Sequence, residues 1–204
     1  VEWLRPFAGI VRDLSISSDD YHGGEDHGRL ARNALDAAAR LEIPASIIAV
    51  AQPGDLEARV VVGTLQEEGV AVMYRGRAAE ALADQVPWPT WERYTECPCE
   101  DLRSPGRVHV DPLGNVHICQ GISLGNLFER PLQELCETYD PEAHPIVGPL
   151  LHGGPAELCR RYELDLGAGA ADACHLCYLA RVALRDRFPN ELMPDQMYGV
   201  VEDG

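Results

Sequence analysis

Two cysteines flank a hairpin signal and two more open a helix, and this arrangement constrains the second half of the chain more than any other feature. Between Cys99 and Cys119 lies "GRVHVDPLGNVHIC" (106–119), two alternating runs around a Pro-Leu-Gly-Asn turn. That pattern predicts a pair of antiparallel strands. A hairpin brings its ends together, so the two thiolates can share a metal. Further on, "DACHLCYLAR" (172–181) places Cys174 and Cys177 three apart at the start of a predicted helix. At that spacing they face one side, where helix-end amides and the dipole favour the thiolate that ligation requires. Two thiols at the hairpin base and two on the helix make a closed four-thiolate set.

The pair Cys174 and Cys177 alone is compatible with a redox dithiol, half of a zinc site or half of an iron–sulfur site. A dithiol of the thioredoxin kind sits on a helix after the first strand of a small sheet, and that context is missing here. A four-cysteine set holds either zinc or a cluster, and the spacing leaves both open. Cys97 lies two residues before Cys99, on the same side of an extended segment, so it is an alternative first ligand. His109, His117 and His175 are near enough in sequence to substitute as ligands, although on the hairpin, surface or half-buried strand positions are the plainer reading. Cys136 and Cys159 fall inside helical pieces, where free cysteine acts as a small buried apolar residue.

The first part of the chain has a different texture. "VRDLSISS" (11–18) alternates and ends polar, as a strand running to a sheet edge does. "GRLARNALDAAARLEIP" (28–44) sets Leu30, Ala34, Leu35, Ala38 and Leu41 on one helical face with Pro44 as its stop. "ASIIAVA" (45–51) reads as a buried parallel strand. Residues 55–68 read as strand or helix with equal weight, and "VAVMYRG" (70–76) reads as a strand followed by a short helix. This alternation is that of a parallel α/β sheet or barrel section. "QVPWPTWERY" (85–94) breaks the alternation and is the candidate linker. After the hairpin, helices are expected at about 130–138, 155–162 and 175–187.

Composition excludes some functions. The chain has 204 residues and a net charge of −16, which argues against a nucleic-acid partner. Its seventeen basic residues are all arginine. No apolar run reaches spanning length and no secretory pattern stands at the start, so the expected location is cytoplasmic, with no membrane partner. There the seven cysteines point to metal or catalysis rather than disulfides. The chain begins at Val1, already running into a strand, as expected of a piece of a longer protein.

The cysteine pattern resembles the C-terminal half of a radical S-adenosylmethionine enzyme with a twitch domain, the shorter relative of the SPASM domain. That family's pattern is Cys, a run of nine to fifteen residues, Gly, four residues, Cys, and later Cys-x-x-Cys. Here fourteen residues separate Cys99 from Gly114 and four separate Gly114 from Cys119. "LGNLFERPLQEL" (124–135) resembles the stretch that follows the second cysteine. No cysteine follows Cys177, a departure from SPASM domains that implies one auxiliary cluster. The resemblance implies that Cys99, Cys119, Cys174 and Cys177 bind an auxiliary [4Fe-4S] cluster. "LSISSDDYH" (14–22) resembles the family's fourth barrel strand, which implies that Ser17, Asp19 and His22 face S-adenosylmethionine or the substrate. "YRGRAAE" (74–80) resembles the segment after the sixth strand and implies the same for Arg77. On the residues alone, Asp19, Asp20 and His22 read as a solvated turn with a capping role.

The fold expected from this resemblance is α/β: the second half of a partial radical S-adenosylmethionine (β/α) barrel over 1–93, then a small α+β twitch domain over 94–204. The family's Cys-x-x-x-Cys-x-x-Cys, which binds the cluster that cleaves S-adenosylmethionine, is absent from these 204 residues. S-adenosylmethionine and a second [4Fe-4S] cluster are therefore expected only in a complete parent enzyme, and this chain alone is expected to be inactive. The implied role is electron transfer beside a small-molecule or peptide substrate, in an oxidoreductase or a peptide- or natural-product-modifying enzyme. The missing N-terminal half, or another chain, is the expected partner. The reading of another class is a non-catalytic binding module stabilised by zinc or a cluster.

Overall fold

The computed structural model describes residues 1–19, 21, 25–55 and 71–200. The chain divides into two compact units, Val1–Val72 and Met73–Gly204.

In the first unit, β1 (Leu14–Ser17) and β2 (Ala45–Ile48) pair in parallel, with Leu14 opposite Ala45 and Ser17 opposite Ile48. The connection between them carries α1 (Glu25–Arg40), the βαβ unit that parallel pairing requires. The helix ends before the expected Pro44. Glu42 takes a left-handed φ of 55°, the Ile43 amide donates to Ala38 O and the Glu42 amide to Ala39 O. This is a Schellman closure, sealed by Ile43 and Ala38, both buried. The buried stripe is Ala31, Ala37 and Ala38, whereas Leu30, assigned to that face from the sequence, is 53% exposed. The described sheet holds two strands, and no barrel is closed among the described residues. The strand expected at 70–76 is not formed over its described part. There the Arg75 amide turns back to Met73 O, a local bond that takes a donor from any ladder. His22 and most of the ambiguous stretch 55–68 lie outside the described residues.

The second unit begins about twenty residues before the expected boundary at 93/94. The supposed linker is bound to this unit. Trp88 Nε1 donates to Ala83 O at 2.8 Å and its ring meets His175 edge-on at 5.0 Å. The Ala170 amide donates to Pro89 O, and the Tyr94 hydroxyl donates to Ala170 O at 2.7 Å. The Pro/Trp-rich stretch is thus strapped on through backbone bonds and ring contacts. A short α2 (Arg77–Ala81) precedes it.

The expected hairpin forms as β3 (His109–Val110) and β4 (Asn115–Cys119), and β5 (Ile122–Asn126) extends it to an antiparallel sheet in the order β3-β4-β5. Asp111 organises the turn. Its Oδ1 accepts from the Leu113 and Asn115 amides at 2.8 and 3.0 Å, and its Oδ2 accepts from Asn115 Nδ2 at 2.9 Å and faces His117 Nε2 at 3.2 Å. Burial pushes this carboxyl upward, but the bonds from Asn115 and His117 outweigh it and hold it below the usual range. Gly114 at φ 83° closes the turn, a left-handed position that favours glycine.

Three helices complete the unit: α3 (Leu132–Glu137), α4 (Val147–Arg161) and α5 (Ala173–Leu184). The core joins Ile118 and Ile122 of the sheet to Val147, Leu158 and Leu176 of the helices. The helix expected at 155–162 is the second half of α4, which is broken at Gly153 and Gly154, with Pro155 restarting it. Its first half starts on a side-chain cap, His144 Nδ1 accepting from the Ile146 and Val147 amides at 3.2 Å each. No helix among the described residues is long and apolar enough to cross a membrane.

Burial pulls the His144 pKa down, and its cap needs an unprotonated Nδ1. Below about pH 6.5, the ordinary histidine value, the unfolded chain binds a proton at this ring that the folded chain resists. Stability therefore falls as pH drops through this window, until the folded ring also protonates. Denaturant melts at pH 7 and pH 5 check this: His144→Asn keeps an acceptor near Nδ1 but does not titrate, and the difference between the two pH values is expected to shrink.

Candidate metal centre

Three cysteine-bearing stretches far apart in sequence meet in one recess of the second unit, lined by Cys97, Cys99, Cys119, Cys174 and Cys177, with Arg75 and Arg181 beside them. Each thiol has a local reason for its place. Cys119 closes β4, whose interior residues Val116 and Ile118 bury into the core and fix the strand's end. Cys174 and Cys177 lie in the first turns of α5, started by Asp172, whose carboxylate accepts from the His175 amide at 2.6 Å. Their spacing puts both on the recess side, as the sequence predicts.

Cys97 and Cys99 arrive on a loop that the break in α4 admits. Gly154 has φ 61° and ψ −160°, and a Cβ there would stand 2.3 Å from the Glu96 backbone nitrogen and 2.4 Å from the Thr95 carbonyl carbon. The missing side chain lets residues 94–96 lie directly on the helix break, where the Ala156 amide donates to Tyr94 O at 3.0 Å. The next residues of the loop are Cys97, Pro98 and Cys99, and Pro155 of the break also lines the recess.

Cys99 is buried and its Sγ lies 3.6 Å from Cys174 Sγ, while Cys97 is half-buried on the same recess. Both candidates for the first ligand are therefore at the site, and Cys99 is the one in contact with another thiol of the set. Contact with Cys99, and then burial, push the Cys174 thiol well up. Burial pushes Cys177 up to about 12 against the pull of Arg181, and it raises Cys97 as well. In the metal-free protein these groups hold their protons, and a thiophilic metal entering the recess would displace them. As the side chains stand, no three His, Cys, Asp or Glu groups among the described residues close on a single ion.

Two guanidiniums face the sulfurs. Arg75 Nη1 donates to Cys119 Sγ at 3.4 Å. Arg181 is 2% exposed. Its Nη1 donates to Gln120 O at 2.6 Å and faces the Tyr198 hydroxyl at 3.4 Å, and its Nε donates to Cys177 O at 3.3 Å. Burial works against its charge, yet the Tyr198 oxygen and the Cys177, Cys119 and Cys174 sulfurs hold its pKa above the usual value. Neither arginine figured in the sequence reading. Arg181 was legible there, four residues after Cys177 and seven after Cys174, on the same helical face. Arg75 carries no such signal.

The other expected positions fall elsewhere. Arg77 is exposed in the first turn of α2 and does not line the recess. In the first unit, Ser17 ends β1, and Asp19 accepts from the Val50 amide at 3.1 Å and the Tyr21 amide at 3.0 Å, tying the loops after the two strands together. His22 lies outside the described residues. His109, His117 and His175 do not line the recess. His117 is buried rather than at the surface, and His175 is buried too, its Nδ1 accepting from the Ala171 amide. Cys159 is buried as expected, its thiol pushed up to about 11 by burial, but Cys136 is exposed on α3. No family model, curated protein or solved structure matches the chain.

The close approach at Gly154 is expected to make Gly154→Ala costly. The added Cβ meets backbone that no rotamer change can move, at a φ that L residues resist, for a loss of about 3 kcal/mol. Gly106→Ala, with open space around it, is expected to stay within about 0.5 kcal/mol. Denaturant midpoints of the two variants make the comparison.

Proposed function

We propose that the second unit is an auxiliary iron–sulfur domain, with Cys99, Cys119, Cys174 and Cys177 holding one [4Fe-4S] cluster. On this reading the chain is part of a radical S-adenosylmethionine oxidoreductase, or of a peptide- or natural-product-modifying enzyme of that kind. The observation that carries the proposal is the meeting of five thiols with a buried arginine whose hydrogen bonds go to carbonyls and a hydroxyl. A buried cation is costly unless an anion compensates it, and thiolates bound to a metal supply that anion beside Arg181.

The donor set is all sulfur, which selects zinc or an iron–sulfur cluster over hard cations. A single zinc ion needs all four sulfurs at about 2.3 Å from one point. Cys99 Sγ and Cys174 Sγ stand 3.6 Å apart, a separation that one zinc ion also accepts, so the choice of a cluster rests on the resemblance of the cysteine pattern. A cluster bound there would supply one-electron chemistry. With four protein thiolates engaged, every iron is occupied, which favours electron transfer over direct binding of a substrate. The chain's own contribution is the dry pocket, the fixed ligand positions and the two cations.

Anaerobic reconstitution with iron and sulfide tests the reading. About four irons per chain are expected, with a broad visible absorption that bleaches on reduction and an electron paramagnetic signal from the reduced state. Stoichiometric zinc with no bound iron after anaerobic isolation would instead support a zinc-stabilised binding module.

A further inference from the structure

We infer that Arg75 sets the reduction potential of the centre, its guanidinium raising that potential through a hydrogen bond to the sulfur of Cys119. This rests on the cluster reading above and adds a residue and a role to it. Arg75 Nη1 lies 3.4 Å from Cys119 Sγ, on the wall of the recess that holds the five thiols. Arg181 is the second cation on that wall, but the two differ in attachment. Arg181 is anchored by Gln120 O and Cys177 O and stacks near the Tyr198 ring, its guanidinium carbon 5.7 Å from the ring centre. It belongs to the fabric of the core. Arg75 stands half-buried on the segment before α2, and its contact runs to the ligand sulfur itself.

The physical effect follows from charge. The couple takes up one electron, makes and breaks no bond, and adds one negative charge to a group already anionic through its thiolates. A fixed positive charge that donates a hydrogen bond to a ligand sulfur stabilises the reduced form more than the oxidised one. Of the five thiols, Cys119 receives this bond. It sits at the end of a strand whose core residues are buried, so the sulfur stays fixed while the arginine acts on it.

The test is a potentiometric titration of the reconstituted 204-residue chain, followed by the electron paramagnetic signal, which reads only assembled clusters. In Arg75→Gln the equilibrium constant for reduction is expected to fall about tenfold, which for one electron is about 59 mV toward more negative potential. Arg75→Lys keeps the charge but not the planar fork, and it is expected to recover part of the difference. An unchanged potential in Arg75→Gln with normal iron content overturns the inference and leaves the cluster reading standing. Wild-type iron binding with none in Arg75→Gln also overturns it, because Arg75 would then be needed for holding the cluster rather than tuning it. A wild-type chain that assembles no cluster overturns the reading underneath, a distinct result.

Discussion

The guanidinium of Arg181 is charged at every accessible pH and almost wholly removed from water. The rest of the second unit is arranged around that condition. Two carbonyls from different parts of the chain, Gln120 O and Cys177 O, accept hydrogen bonds from it, and the Tyr198 hydroxyl stands beside it while donating to Gly121 O. Those bonds pin the end of β4, the start of α5 and the C-terminal segment to one another. They engage its Nε and Nη1 but do not cancel its charge. The sulfurs nearest it electrostatically, those of Cys177, Cys119 and Cys174, would do so as thiolates on a bound metal. On the proposed reading, charge balance and cysteine placement are one problem with one solution.

The backbone that delivers these groups uses few devices. A break at Gly153 and Gly154 opens α4 to the passing chain, and the loop laid across it leads to Cys97 and Cys99. The Asp111 turn aligns β3 with β4 and leaves Cys119 at the strand's end. The Asp172 cap starts α5 one residue before its first ligand candidate. Each is a local feature of a few residues, and together they gather thiols that lie up to about eighty positions apart in the sequence.

Much of this was legible in the sequence because the signals were local. The hairpin announced itself by alternation and a turn, and the helical cysteines by their spacing. Other elements were hidden for physical reasons. The ends of α1 and α4 are closed by Glu42 and Glu163 in left-handed conformation at φ 55° and 53°, a role in which glycine is the usual signal. Gly121 stands just before β5 and Gly125 lies inside it, both at positive φ, and the register slips along β4, so no clean alternation marked it as a strand. Gly154 reads as an ordinary helix breaker, and only the backbone packed on it shows why a side chain is excluded. The link from Arg75 to Cys119 spans 44 residues, and no spacing rule reaches that far.

In the first unit the sequence described a βαβ arrangement that the structure contains, but the residues expected to meet S-adenosylmethionine have local duties or lie outside the described residues. The weight of the functional account therefore rests on the thiols and cations of the second unit. Its central claim is that four thiolates, Cys99, Cys119, Cys174 and Cys177, hold one cluster in that recess. Native mass spectrometry of the anaerobically isolated chain, with the five lining cysteines replaced by alanine one at a time, tests it most directly. The account predicts the added mass of one four-iron, four-sulfide cluster in wild type and in Cys97→Ala, and its loss or reduced occupancy in each of the other four variants. A mass of zinc alone, or a cluster kept in all five variants, would contradict it.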